Sequence, residues 1–395
     1  MIKNLGKGVS YIGVDDLDLD LFESQYIVPE GMAYNSYLIT DRKIAIMDTV
    51  DARKTAEWTA NLLTALDGRT PDYLVVHHIE PDHSAAIAEV LQRWPSLTLV
   101  ASAKAIAMLP QFFGDIALEG RTVAVKEGDV LELGDHSLSF IAAPMIHWPE
   151  VMVSFDKADG ALYSADAFGK FGALSRCGFL GTDDDDWACE ARRYYFNIVG
   201  KYGIPVQTLL KKLASLPVRA IRPLHGPILE EALESYVALY DTWSKYEAET
   251  EGVFIACASI HGGTLAACEK LAEILRAKGA AKVVLSDLCR SDFAENIEDA
   301  FRYPKMVVAA SSYDGGLFTP MYQFLHLLQM KGYCKRRVAI VENGSWAPSA
   351  GKVMREMLGT LKNVEILEPG VTIRSSLKET DIPALEALAD ALLGA

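Results

Sequence analysis

The chain has 395 residues, 50% of them hydrophobic, and a formal net charge of −15. That length allows two or three domains with sizeable cores, and an acidic chain with no basic stripe argues against nucleic-acid binding. No apolar run reaches the roughly 18 residues of a membrane span, and no basic segment followed by an apolar stretch opens the chain, so no membrane association and a cytoplasmic location are expected.

Residues 34–38 and 44–48 read as early strands, the second ending in Asp48. Residues 55–66 read as a helix with apolar positions at Leu62, Leu63 and Leu66. The apolar run 73–76 reads as a buried strand, and it ends in a loop crowded with metal-ligand side chains. There His78, Glu80, Asp82 and His83 place two imidazoles and two carboxylates within six residues. A core does not tolerate that density, because each polar group buried without a partner costs a few kcal/mol. One metal ion, or a pair, accounts for it most simply. His77 competes in register with His78 but does not complete the pattern, and is read as a structural neighbour. Residues 85–94 then read as helix and 97–100 as strand.

Single ligand-type residues recur at later strand ends. His147 follows the apolar run 140–146, Asp166 follows 161–165, and His225 follows 220–224 and precedes Gly226 and Pro227. Four of the chain's eight His occupy these places, while His136, His261 and His326 receive no metal role. The pattern predicts an αββα sandwich with its ligands along one rim. The acidic run 183–186 lacks the alternation and Gly of a calcium loop and is read as a solvated turn. Six Cys are scattered, none in a Cys-x-x-Cys pair, and read as reduced thiols.

The composition turns polar over 244–252, which places a domain boundary at 250/251, between residues 1–250 and 251–395. Strands are predicted at 253–258, 282–286, 305–310, 337–341 and 364–367, with a helix at 264–278 after the first. Five alternating strands match a flavodoxin-like, doubly wound parallel sheet, whose ligands bind beyond the strand C-termini. Three loops stand there. The first holds Ser259, His261, Gly262, Gly263 and Thr264, a Gly-rich turn before a helix and so an anion site. The second holds Ser311, Ser312, Tyr313, Asp314, Gly315 and Gly316, and the third Asn343, Gly344, Ser345, Trp346 and Ala347. Neither a P-loop nor a dinucleotide fingerprint fits.

The order His-x-Glu-x-Asp-His, then a lone His, a lone Asp and His-Gly-Pro, followed by a flavodoxin-like half, resembles the flavodiiron proteins. These join a metallo-β-lactamase-like domain to a flavodoxin-like domain. The resemblance implies that His78, Glu80 and His147 hold one iron, that Asp82, His83 and His225 hold a second, and that Asp166 bridges them. His83 is the ligand that the family allows to swing away. Related zinc hydrolases usually carry His-x-His-x-Asp-His, so Glu80 is the diagnostic change. A carboxylate in place of an imidazole adds negative charge and a harder donor, which favours iron over zinc, although affinity order alone would not select it.

The three loops would bind FMN, with Tyr313 and Trp346 available for stacking. Asp314 departs from the family's usual Asn, and Ser311-Ser312 from its Pro-Thr. Asp48 is read as orienting a ligand His or as a structural strand end, Trp148 as packing beside the site, and Tyr195 as a catalytic proton or hydrogen-bond donor or as a plain core tyrosine. The implied activity is reduction of dioxygen to water, with reduction of nitric oxide to nitrous oxide as the alternative. A zinc hydrolase with an accessory flavodoxin domain and a pure electron carrier are the competing readings. With no Cys-x-x-Cys pair, an external donor such as rubredoxin is expected. A domain of about 250 residues has a radius of gyration of roughly 18 Å, so flavin and metals of one chain are expected far apart. The family resolves this with a head-to-tail homodimer.

Overall fold

The computed structural model describes residues 1–184 and 186–394. Asp185, inside the acidic run, and Ala395, the last residue of the second predicted domain, lie outside the described residues. The chain divides into two compact units: Met1–Tyr195 with Ile204–Asp241, and Phe196–Gly203 with Thr242–Ala395. The division therefore falls nine residues before the predicted boundary. Aromatic packing is the reason. Within the second unit Phe196 stacks on Phe301 at 4.3 Å between ring centroids and also meets Trp243, and Tyr246 lies 6.3 Å from Phe301.

The first unit contains a seven-stranded sheet ordered Lys3–Gly6, Val9–Tyr11, Tyr37–Thr40, Ile44–Met47, Tyr73–Val75, Thr98–Ser102, Thr122–Val125. A five-stranded sheet runs Val130–Glu132, Ser137–Ala142, Met152–Asp156, Ala161–Tyr163, Ala220–Arg222. Tyr37, Met47, Val75 and Val100 of one sheet share a fully buried core with Leu138, Phe140, Met152 and Tyr163 of the other. That is the sandwich interior. Helix Thr55–Leu66 buries Trp58, Leu62 and Leu66, one i, i+4, i+8 stripe. Leu63, predicted inside, lies off that stripe and is 42% exposed.

The strand expected at 34–38 is two strands, Met32–Tyr34 and Tyr37–Thr40. Asn35 leaves the ladder between them because its side chain is needed elsewhere, as described below. The helix expected at 85–94 is shorter, Ile87–Arg93, and a separate helical turn, Pro81–Ser84, precedes it. The acidic run is not simply solvated: Asp184 pairs with the buried Lys170.

The second unit is a parallel sheet ordered Val283–Asp287, Val253–Ala258, Lys305–Tyr313, Arg337–Asn343, Glu365–Ile366, with Val371–Ile373 also paired to Arg337–Asn343. In chain order this is 2-1-3-4-5, the flavodoxin-like arrangement. Val253–Ala258 is buried along its whole length, as a central parallel strand must be. Among the described residues, no helix is long and apolar enough to cross a membrane.

A buried imidazole ties the first unit together. His136 is 2.6 Å from Asp156 Oδ2 through Nδ1 and 2.6 Å from the Lys7 carbonyl through Nε2. Both partners accept, so both ring nitrogens donate and the ring is cationic. The Asp156 carboxylate, against the opposing effect of burial, pushes its pKa up to about 9. A pKa raised on folding contributes stability that is complete below the unfolded value near 6.5 and lost as pH rises through the folded value. The wild type should lose about 1–2 kcal/mol between pH 6.5 and 9.5, a figure reduced for solvent screening, and His136→Gln should not. Denaturant unfolding across that range checks this. Parallel profiles for both proteins would remove the imidazolium as the cause.

Candidate functional site

The ligand loop begins where Tyr73–Val75 ends. His77 donates its backbone N–H to Asp48 Oδ1 at 2.7 Å, and its ring lies 2.6 Å from Asp48 Oδ2 and 2.8 Å from Ser154 Oγ. This is a Ser-His-Asp constellation, but each member is 0–1% exposed, so no substrate reaches it. Its effect is to lock the backbone just before His78. Pro81 opens the turn Pro81–Ser84, which suits its missing N–H. Thr49 holds that turn by donating from its N–H and its hydroxyl to the His83 carbonyl, at 3.0 and 2.8 Å.

Seven side chains converge as two groups, His78–Glu80–His147–Asp166 and Asp82–His83–His225, the donor atoms of each lying within 4.8 Å of one another. In the first, Glu80 Oε2 is 3.1 Å from His78 Nε2 and 2.9 Å from His147 Nε2. In the second, Asp82 Oδ2 is 3.3 Å from His83 Nε2 and 3.2 Å from His225 Nε2. Asp166 faces both. Its Oδ2 is 3.6 Å from His78 Nε2 and 3.3 Å from His147 Nε2, while its Oδ1 is 3.2 Å from His83 Nε2 and 3.9 Å from His225 Nε2.

The donor set fits cations. His83 Nε2 and His225 Nε2 lie 3.0 Å apart, and two protonated nitrogens cannot face each other at that distance. Among the described residues, both Asp82 oxygens, His147 Nε2 and Asp166 Oδ1 are buried without a hydrogen-bond partner. Burial alone would raise the Glu80 carboxyl, but the His147 and His78 imidazoles overcome it and bring its pKa to about 2. Burial alone would lower the His147 imidazole, yet Asp166 and Glu80 raise it to about 9. The pocket thus holds negative charge in search of positive partners. Divalent ions answer that demand as protons do.

The backbone around the ligands is strained to deliver them. Asp48, Met145, Ala165 and Phe168 have φ of 55°, 66°, 51° and 66°, a left-handed region costly for residues with a Cβ. Gly226 has φ +77°, and a Cβ there would meet Lys170 Cγ at 2.5 Å, so only glycine follows His225.

In the second unit the predicted loops wall a cavity of about 650 Å³, within the range of small-molecule and cofactor sites. Every predicted residue lines it except Gly262 and Gly316. Gly262 instead makes the turn before helix Gly263–Ala277, with φ +86° and its N–H on Ser259 Oγ. Gly316 pairs with Tyr313 across a two-residue turn, Asp314-Gly315, whose φ values of 48° and 72° suit a tight hairpin. That turn explains an Asp at 314. Ser375 and Ser376 complete the wall. Asn343 holds Ser375 by two hydrogen bonds of 2.8 and 3.0 Å, and a Cβ on Gly263 would meet the Ser375 carbonyl at 2.3 Å. The wall contains no Lys or Arg, and Trp346 stands 90% exposed beside it. Hydroxyls, backbone N–H groups at a helix N-terminus and an uncovered aromatic ring fit a flat aromatic phosphate ester such as FMN.

Comparison with known proteins places both halves. Residues 32–226 match the family described as ODP family beta lactamase. The anaerobic nitric oxide reductase flavorubredoxin of Salmonella arizonae is 26% identical over 393 residues, 98% of this chain and 79% of that protein. The rubredoxin oxygen:oxidoreductase of Desulfovibrio gigas superposes with a TM-score of 0.93 at 23% identity, over 99% of this chain and 98% of that one. The flavodiiron protein of Giardia intestinalis superposes with a TM-score of 0.93 at 22% identity, over 99% of this chain and 96% of that one, so the chain has the flavodiiron fold. A diflavin flavoprotein of Nostoc sp. is 32% identical over 239 residues, 60% of this chain but only 40% of its own length, so this chain spans less than half of that relative.

Of the tyrosine pair 194–195, the ring nearer the cluster is that of Tyr194. Tyr195 packs edge-on against Tyr240 at 5.1 Å. It is Tyr194 whose ring lies 5.6 Å from the His225 ring. Burial, and then the charges of Asp166, Asp82 and Glu80, hold its hydroxyl well above the ordinary tyrosine pKa, so it stays a neutral donor. Neighbours on helix Trp187–Tyr194 and its continuation point about 100° apart, and sequence alone did not set that phase. Trp148 packs 5.3 Å edge-on against His78, as expected. Asp48 orients His77 rather than a member of the two groups.

Asn35 was not foreseen. Its Nδ2 donates to the carbonyls of Pro223 and Gly226 at 2.8 and 2.7 Å, and so clamps the loop on both sides of His225. Only a polar residue interrupting an apolar strand signalled it. Asn35→Ala leaves the Gly226 carbonyl without its donor and the Pro223 carbonyl with only the Tyr37 hydroxyl at 3.4 Å, and should cost about 1–3 kcal/mol. It should also loosen metal at Asp82–His83–His225 before the other group, as read by thermal unfolding and by metal retained after dialysis. Unchanged stability and metal content would show that the clamp is dispensable.

Proposed function

We propose that this chain is an oxidoreductase in which FMN in the second unit passes electrons to two iron ions in the first, where dioxygen is reduced to water. The observation that carries the reading is Asp166, one oxygen toward each group of ligands. A bound iron pair supplies single-electron redox steps and a place for a diatomic substrate. The chain's own residues do the rest. Glu80, Asp82 and Asp166 provide negative charge that favours the more oxidised ions. Phe22, 5.4 Å from the His225 ring, and Trp148 exclude water from two sides. Tyr194 offers a buried O–H at the edge of the cluster.

The electron donor proposed is a small external carrier of the rubredoxin type. Similar proteins carry rubredoxin in their names, and the 395 residues contain no Cys-x-x-Cys pair. The proposed assembly is a head-to-tail homodimer, each flavin cavity serving the metals of the other copy. Ile260, Tyr313 and Trp346 at the cavity, 37%, 48% and 90% exposed, support an apolar contact there.

Protein reconstituted anaerobically with FMN and ferrous iron should hold about two irons per chain, matching the two ligand groups. With reduced rubredoxin it should consume dioxygen, and with NADH alone turn over slowly. Faster consumption of nitric oxide would select the alternative substrate, and stoichiometric zinc despite ample iron would favour a hydrolase. Asp166→Ala should abolish turnover and lower iron while FMN stays bound. A metal-dead chain mixed with a flavin-dead chain should recover activity through heterodimers, whereas a monomer at full turnover contradicts the assembly.

A further inference from the structure

The loop that delivers His147 also delivers Glu150. This carboxylate is 2% exposed. Its Oε1 lies 2.7 Å from His78 Nδ1 and accepts the Ile79 N–H at 3.2 Å. Its backbone carbonyl accepts from Ser102 Oγ at 2.8 Å, which ties the residue to the end of strand Thr98–Ser102. Oε2 has no hydrogen-bond partner among the described residues. A buried carboxylate is therefore committed to one imidazole. By accepting the Nδ1 proton it leaves the Nε2 lone pair facing Glu80 and Asp166, and its charge makes that nitrogen a stronger donor.

The other group lacks an equivalent. His225 Nδ1 is 2.8 Å from the Ala33 carbonyl, a neutral acceptor. His83 Nδ1 is buried with no hydrogen-bond partner among the described residues. Asp166 turns an oxygen to each group, so the difference lies in the backing: one group has a carboxylate-backed imidazole, and the other has one imidazole backed by a carbonyl and one unbacked among the described residues.

Resting on the two-metal reading above, we propose that the positions fill in order, His78–Glu80–His147–Asp166 first, and that Glu150 is the positioning residue that sets this order. The full-length chain, stripped of metal and loaded with FMN, is titrated anaerobically with cobalt(II) by calorimetry. Wild type should bind two ions in separate steps, the first at least about 10-fold tighter. Asp82→Ala should remove the second step and keep the first. Glu150→Gln preserves volume and an acceptor oxygen but removes the charge. It should weaken the first step about 10-fold, leave the second in place, and leave the unfolding temperature of the metal-free chain unchanged. Two equivalent sites in wild type would overturn the order whatever the variants do. Equal weakening of both steps, or an unaffected Glu150→Gln, would overturn the assignment to Glu150 while the metal reading stands. A wild-type chain that binds no cobalt contradicts the metal reading and this inference with it.

Discussion

Three carboxylates, Glu80, Asp82 and Asp166, are held largely out of water among four imidazoles, and their charge has to be met. Uncompensated, such a cluster would be among the most costly features a fold could contain. Much of the polar architecture of the first unit exists to hold it in place. Asp48, His77 and Ser154 lock the entry to the ligand loop, Thr49 holds its helical turn, Asn35 clamps the loop of His225, and Glu150 backs His78. None of these groups touches both halves of the cluster. Each fixes one loop, and the β-sandwich fixes the loops relative to one another because all leave strand ends on one rim.

The second unit solves a different problem by different means. Its cavity has no fixed cation, so an anionic ligand there is met by hydroxyls and by N–H groups at the start of helix Gly263–Ala277. The tight approach of the Ser375 carbonyl to Gly263 and the Asp314-Gly315 turn shape the wall through backbone alone. Such a site binds without placing strong positive charge beside the flavin. The carboxylate at Asp314 pushes further the same way, disfavouring an anionic reduced ring. Under the proposed function, this would make electrons held there easier to pass on.

The convergence of the seven His, Asp and Glu side chains was legible because few roles other than coordination place such residues so densely at strand ends. The flavodoxin-like order was legible because each strand is a short apolar run followed by a helix. Asn35 and Glu150 were not, since each is a single polar residue whose partner lies 188 or 72 positions away. Which of Tyr194 and Tyr195 meets His225 was not legible, because helical phase, not residue type, decides it. The unit boundary was misplaced because Phe196 and Trp243 pack with Phe301, a long-range choice that local polarity at 244–252 does not reveal. The Ser375–Ser376 loop was overlooked because two serines after a short strand carry no chemical signature of their own.

The central claim is that Asp166 joins two ions into one redox unit. Mössbauer spectroscopy of the oxidised protein loaded with iron-57, recorded in an applied field, tests it most directly. A carboxylate shared by two ferric ions couples their spins, so the account predicts two high-spin ferric sites with a diamagnetic ground state. Two independent paramagnetic ferric ions, or a single iron per chain, would contradict it.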